Sequence, residues 1–300
     1  MKTVKSKREM PEREKYIVYS QDLKFRHKRD IDPNWAEWES DHVKEKFNID
    51  HESLEYRLNE CKHTNFKTLD LSEMNLTTLP CLDKNIVSNV EHLFINNNRL
   101  NGTLDVTHFK SLKIIDFSEN NVVELKANEG VEELVCRKNN LVDIPTIKTF
   151  VRLDCSNNKI TSIDIPSKLK ILICSGNMIK RINDSKSINK LICDNNPISF
   201  IGILPNLVHL DISQTSVTTV NKYEKLQSLV LNNTKTSKLP LFENLEMLEI
   251  INTPIDTIEF MPKIKSIICS VNKTKKIAKE YNDKIEIKLH KGQFLVINVI

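Results

Sequence analysis

The chain repeats itself with a period of 19 residues over most of its length. Leu134, Cys136, Asn139 and Leu141 set a frame that returns at every nineteenth residue as far as Ile267. Eleven units follow one another from about residue 66. The corresponding residues of the first four, Leu69, Leu93, Ile115 and Leu134, are separated by 24, 22 and 19 residues. Repeats of this length predict a solenoid, in which each unit packs only against its neighbours.

Each unit, called a coil below, reads L-x-x-L-x-L-x-x-N-x-L-x-x-L, so that Leu134 lies at position four and Cys136 at position six. The alternation at positions four and six is typical of a strand with one buried face. This pattern resembles the leucine-rich repeat family, in particular its repeat-only members in large DNA viruses, over about residues 66–280. The resemblance implies an α/β-type solenoid, an arc with a parallel β-sheet on its concave face.

Position nine is the point where the strand has to turn. Asparagine stands there in most coils, and its side chain can bond to backbone groups of the bend. We therefore expect a ladder of asparagines along the array. Thr215, Thr234 and Thr253 replace it with a shorter hydroxyl that should do this more weakly, and Met74 in the first coil cannot do it.

The segments that return from one strand to the next contain many prolines. Examples are Pro145, Pro166, Pro205, Pro240 and Pro262. Because proline is excluded from a helix interior, these returns should be extended or 3₁₀. A mostly non-helical convex side removes the bulk that curves such arrays, so we expect a shallow arc in which eleven strands span roughly 50 Å.

An open array needs capped ends. Residues 31–65 are predicted to form a helical N-terminal cap, and Trp35 and Trp38 are interpreted as a core-facing ridge in preference to a binding stripe. Residues 281–300 alternate around Lys291-Gly292 and predict a β C-terminal cap, a hairpin. Four regions result: a leader at 1–30, a cap at 31–65, eleven repeats at 66–280 and a cap at 281–300.

The leader carries ten Lys or Arg against five Asp or Glu. It could tether the protein to nucleic acid or to an anionic surface, although a solvated, flexible leader is the favoured interpretation. Neither a signal peptide nor a membrane span is evident, which predicts an intracellular, cytoplasmic protein.

The sequence offers little support for catalysis, a metal or a cofactor. Only five glycines occur, and none of them builds a nucleotide-binding loop. Five of the seven cysteines occupy position six, where a thiol is expected to pack in the core, and the pair Cys61 and His63 has no second pair to complete a zinc site. His209 and Asp211 could orient a general base, but no nucleophile accompanies them.

The concave face is the predicted working surface. Positions three and five of the middle coils combine aliphatic residues with charges, which suits protein association, although β-branched residues also simply favour strands. The expected function is non-enzymatic capture of an unidentified protein partner by a monomer, with a tethered adaptor or an enzyme subunit as alternatives. The predicted contact residues are Val135, Arg152, Asp154, Ile171, Ile173, Lys190, Ile192, His209, Asp211 and Val230.

Overall fold

The computed structural model describes residues 53–270, together with the backbone of residues 285–290 and 294–299. The predicted leader, Trp35 and Trp38, and the part of the predicted N-terminal cap before residue 53 lie outside these residues. The helices are α1 (Leu54–His63) and α2 (Lys84–Asn89). The strands are β1 (Thr68–Asp70), β2 (His92–Phe94), β3 (Asn101–Asp105), β4 (Ile114–Asp116), β5 (Asn121–Lys126), β6 (Glu133–Val135), β7 (Arg152–Asp154), β8 (Ile171–Ile173), β9 (Arg181–Ile182), β10 (Lys190–Ile192), β11 (Phe200–Ile201), β12 (His209–Asp211), β13 (Ser228–Val230), β14 (Met247–Ile250), β15 (Ser266–Ser270), β16 (Ile285–His290) and β17 (Phe294–Val299).

One long sheet runs through the array. Its order is β1-β2-β4-β6-β7-β8-β10-β12-β13-β14-β15-β17-β16, and within the described residues all strands from β1 to β15 in this order pair in parallel. The register follows the repeat, since Leu134 pairs with Leu153 and Leu153 with Leu172. The predicted parallel-sheet solenoid is confirmed. At its end β17 pairs antiparallel with β15 and with β16, where the sequence predicts a hairpin.

The core is a stack of similar layers, one from each coil. Leu134, Leu153 and Leu172 are at most 1% exposed, and Cys136, Cys155, Cys174, Cys193 and Cys269 are fully buried. The cysteine thiols point towards the next strand, as Cys136 Sγ donates to the carbonyl of Asp154 at 3.6 Å. Burial raises the pKa of each of the four middle thiols, Cys136 to Cys193, well above its ordinary value. Position six therefore holds protonated thiols as packing groups, as predicted.

The asparagine ladder is present and links neighbouring coils. Asn158 Nδ2 donates to the carbonyls of Cys136 at 2.9 Å and Cys155 at 3.0 Å, while its Oδ1 accepts from Leu141 N at 3.0 Å. Each position-nine asparagine from Asn98 to Asn196 thus bonds to backbone groups of two coils. Thr215 Oγ1 instead donates to the carbonyl of Ile212, in its own coil, at 2.7 Å. In the first coil the backbone N–H of Met74 donates to Asn98 Oδ1 at 3.1 Å, so the next asparagine serves both coils.

The return segments agree with the prediction of a mostly non-helical side. In the described part of the chain, α2 is the helix found between two strands of the long sheet, and it lies in the longest return. Two small parallel sheets, β3 with β5 and β9 with β11, line other returns. At the start of the described residues, α1 is capped by Ser53, whose side chain accepts from Tyr56 N at 3.1 Å.

Position eight is a regular feature that the sequence analysis missed. Its residue has a positive φ in coil after coil, between 52° at Lys138 and 64° at Gly176. Asparagine, which tolerates this left-handed conformation better than most residues, fills the position at Asn97, Asn157, Asn195, Asn233 and Asn252. In the ten coils from Leu69 to Leu248 this column bends the chain out of the sheet in the same way at the end of each strand.

Candidate protein-binding face

The sheet face is the side of the long sheet formed by the residues at positions three, five and seven. Because side chains alternate along a strand, burying Leu172 turns Ile171 and Ile173 to this side, and burying Leu191 does the same for Lys190 and Ile192. The strands are only three residues long here. The backbone that carries the face is thus fixed by the core on one side and by the turns at both strand ends.

The structure brings most of the predicted contact residues together. On neighbouring strands Lys190 pairs with Ile171 and with His209, and Ile192 pairs with Ile173 and with Asp211. Asp211 in turn pairs with Val230. Eight of the ten predicted residues are half-buried or exposed on this continuous surface: Arg152, Ile171, Ile173, Lys190, Ile192, His209, Asp211 and Val230.

Val135 and Asp154 are placed differently from the other eight. Val135 is 3% exposed and Asp154 is 6% exposed, so neither offers a partner appreciable surface. Arg137, at position seven of the coil before, approaches Asp154 with its Nε 3.9 Å from Oδ2. Asp154 Oδ1 also accepts from the hydroxyl of Ser156 at 2.8 Å. Val135 and Asp154 therefore lie beneath the surface of the face and are not exposed to a partner.

A set of charges borders the face on the side of the early coils. Asp116 is 1% exposed, and its pKa is raised by burial, against the opposing influence of Ser118 and Arg137. Burial also raises the pKa of Glu133, which lies beside Arg152. Sequence reasoning did not select Asp116 or Arg137. The repeat register could have identified both residues, since Asp116 is at position five and Arg137 at position seven, and both positions lie on this side of the sheet.

A second, acidic group borders the aliphatic residues on the other side. Burial raises the pKa of Asp211, and the carboxylates of Asp194 and Glu249 raise it further. Each acid has a polar neighbour on the face: Asp194 accepts from the hydroxyl of Ser175, and Glu249 Oε2 accepts from Asn232 Nδ2 at 2.9 Å. The face thus presents aliphatic side chains between a mixed-charge border and an acidic border.

The geometry does not assemble the general base considered for His209 and Asp211. Asp211 Oδ1 accepts from the backbone N–H of Ser213 at 2.9 Å. Partial burial, and then the positive charge of Lys190, lower the pKa of His209. The serines of position seven bond within the repeat lattice, as Ser72 Oγ does to Asn96 Oδ1 at 2.7 Å. In the part of the chain that the structure describes, these hydrogen bonds do not pair His209 and Asp211 with a nucleophile.

Cys61 and His63, which were considered for a metal, both lie at the end of α1. Cys61 is buried, and burial together with the nearby Asp83 raises the pKa of its thiol to about 11. In the described part of the chain no group of three or more His, Cys, Asp or Glu side chains could hold a metal ion.

A shallow groove lies where the ladder changes from asparagine to threonine. It is lined by neutral groups that include Asn196, Pro197, Gln214, Thr215 and Asn233.

Comparison with known proteins identifies the fold. No protein-family model matches the sequence, and none of the curated proteins is significantly similar to it. A chain of the LRIM1/APL1C complex has a TM-score of 0.54 and 22% identity, over 69% of this chain and 48% of that one. The present chain therefore spans about half the length of that structure.

Two further structures agree. The leucine-rich repeat domain of APL1B has a TM-score of 0.52 and 16% identity, over 80% of this chain and 96% of that one. The leucine-rich repeat domain of APL1 has a TM-score of 0.52 and 15% identity, over 75% and 76% of the two chains. No helix among the described residues is long and apolar enough to cross a membrane. The comparisons agree with the register and the ladder: this chain has the leucine-rich repeat fold.

Proposed function

We propose that the protein is a non-enzymatic scaffold that captures another protein on the sheet face. The observation that carries this proposal is the continuous aliphatic surface of Ile171, Ile173 and Ile192, with Val230 beyond Asp211, framed by charges on both sides. A protein interface typically combines an apolar centre with a polar rim. Arg152, Lys190, His209 and Asp211 would then select among partners that bury the same aliphatic side chains.

The scaffold is proposed to act as a monomer in the cytoplasm, as expected from the sequence. Two other functions were considered. Tethering to nucleic acid or an anionic surface through residues 1–30 rests on the charge of that segment alone. A role as an enzyme subunit would need His209 and Asp211 to act together, and the bond from Ser213 N to Asp211 gives that carboxylate a different partner.

The proposal is tested by placing charge in the centre of the face. The double variant Ile173→Lys/Ile192→Lys should lose partner capture by at least about tenfold, because two charges would have to be desolvated in the interface. A matched control is Val123→Lys/Val142→Lys, which makes the same change at two exposed valines of the return segments. Affinity capture followed by quantitative mass spectrometry compares both variants with the native chain.

Circular dichroism on the same samples separates binding from folding. Both variants should keep the native spectrum, since Ile173 and Ile192 are only half-buried. Partners that the control retains and the face variant loses are the ones that bind the sheet face. If the face variant is folded and captures every partner of the native chain, the sheet face is not the binding surface and the proposal is wrong.

A further inference from the structure

The most exposed large apolar side chains in the described residues do not lie on the sheet face. They lie on the return side, which consists of positions ten to nineteen of each coil. Ile203 is 66% exposed, Phe260 58%, Val142 55%, Met178 54% and Phe200 48%. Met178 and Phe200 belong to adjacent coils, and Ile203 follows Phe200 by three residues. Met178, Phe200 and Ile203, exposed on these two adjacent coils, are together called the return patch below.

The backbone under the return patch is held firmly. Phe200 pairs with Arg181 across β9 and β11, and the guanidinium carbon of Arg181 lies 5.3 Å from the centre of the Phe200 ring. Ile203 N donates to Asp184 Oδ1 at 2.8 Å. A Cβ on Gly202 would lie 2.3 Å from the same Asp184 oxygen, so only glycine allows this close approach. The loop therefore presents Phe200 and Ile203 outwards without having to reorganise.

The charge of the return side differs from that of the sheet face. In the five coils whose position-four leucines run from Leu153 to Leu229, positions ten to nineteen carry nine Lys or Arg against four Asp or Glu. Positions three to eight of the same coils carry two basic residues, Arg152 and Lys190, against three acidic ones. Three exposed basic residues lie in the same return segment as Met178: Lys180, Arg181 and Lys186.

We propose that the return patch docks the protein onto an anionic lipid surface. Protruding aromatic and aliphatic side chains can enter the boundary between headgroups and acyl chains, while Lys and Arg around them attract anionic headgroups. Lipid fits better than nucleic acid because Ile203 and Met178 cannot stack on bases, and Arg181 already occupies one face of the Phe200 ring. The sheet face would stay free, so that the docked protein could still capture its partner.

The proposed lipid-binding surface lies on the repeat coils, so lipid binding should require neither residues 1–30 nor partner capture. It is tested by co-sedimentation of the full chain with vesicles. The protein should bind vesicles containing about 30% phosphatidylserine in phosphatidylcholine and not phosphatidylcholine alone, and the binding should weaken with salt. The double variant Phe200→Ser/Ile203→Ser should reduce the bound fraction by about fivefold or more.

Three further proteins make the result decisive. Lys180→Glu/Lys186→Glu should reduce binding as strongly, whereas Val142→Ser, an exposed apolar residue on another coil, should not. Neutralising Lys2, Lys5 and Lys7 to Gln tests the leader, and binding should persist. The inference is overturned if the native chain does not sediment with anionic vesicles, or if only the leader variant loses binding. It is also overturned if a DNA duplex binds with the same dependence on Phe200 and Ile203.

Discussion

The solenoid contains two kinds of coil that have the same backbone but different turn chemistry. The asparagine coils have Asn at position nine, from Asn98 to Asn196, and the threonine coils have Thr215, Thr234 and Thr253. An asparagine such as Asn177 bonds to Cys155 O of the preceding coil at 3.0 Å and to Cys174 O of its own at 3.0 Å. Thr234 Oγ1 donates to Leu231 O, in its own coil, at 2.9 Å.

The comparison distinguishes the interactions that determine the shape of a coil from the hydrogen bonds that connect neighbouring coils. The strands pair in the same register in both regions, as Leu153 pairs with Leu172 and Leu229 with Leu248. Parallel pairing and burial of positions four and six are therefore sufficient for the shape of a coil. The asparagine amide adds bonds between coils, and these should appear as stability and cooperativity along the array.

The largest effect is expected where an asparagine is removed. Asn158→Ala removes the bonds of this amide to the carbonyls of Cys136 and Cys155 and to the N–H of Leu141. Asn139 and Asn177 still donate to the two carbonyls. At about 1 kcal/mol for each buried bond, the free energy of unfolding should fall by roughly 2–4 kcal/mol. Urea unfolding followed by circular dichroism measures it.

A matched control for this variant is Asn189→Ala, an exposed asparagine that lies between strands β8 and β10. It should change the free energy of unfolding by less than about 0.5 kcal/mol. If Asn158→Ala costs no more than this control, the ladder bonds do not stabilise the array and the contrast between the two kinds of coil has no energetic meaning.

A smaller effect is expected in the threonine coils. Thr234→Val keeps the shape of the side chain and removes one buried hydroxyl, whose bond to Leu231 O is made within the coil. The expected loss is about 1 kcal/mol, measured by the same urea titration. A loss as large as that of Asn158→Ala would contradict the distinction between bonds within a coil and bonds between coils.

Thr236 shows that the threonine coils keep some bonding between coils by another route. It occupies position eleven, where the other coils from Leu69 to Leu248 have an aliphatic residue, and it is completely buried. Its hydroxyl donates to Val217 O of the preceding coil at 3.2 Å. A polar residue at position eleven does not fit the repeat consensus, so the repeat pattern alone does not predict this bond.

The sequence predicted those features that depend on the repeat alone. The burial of Cys155, the register of Leu153 and the bonds of Asn158 each follow from one position in one coil. Features that depend on several coils were not predicted. The burial of Asp154 involves Arg137 in the preceding coil, and the exposure of Ile203 depends on the close packing of Gly202 against Asp184. A repeat consensus describes each position separately, so it does not predict contacts between particular residues of neighbouring coils.

The smallest effect tests whether a threonine coil can be converted into an asparagine coil. In Thr215→Asn the longer amide should reach Cys193 O and Ile198 N, as Asn196 reaches Cys174 O and Ile179 N. The shallow groove beside Thr215 provides room for it. Because the native hydroxyl bond to Ile212 O is exchanged for bonds between coils, we expect a net gain of about 0.5–1 kcal/mol in the free energy of unfolding.

Hydrogen exchange locates the gain. The amide of Ile198 should become more protected in Thr215→Asn, while amides of the early coils stay unchanged. The control Thr218→Asn makes the same substitution at an exposed position of the following return segment and should leave both measurements unchanged. A destabilised Thr215→Asn would mean that the coils near residue 215 are spaced or turned for threonine. The two regions would then differ in backbone geometry as well as in hydrogen bonding, and threonine would be required there by the shape of the turn.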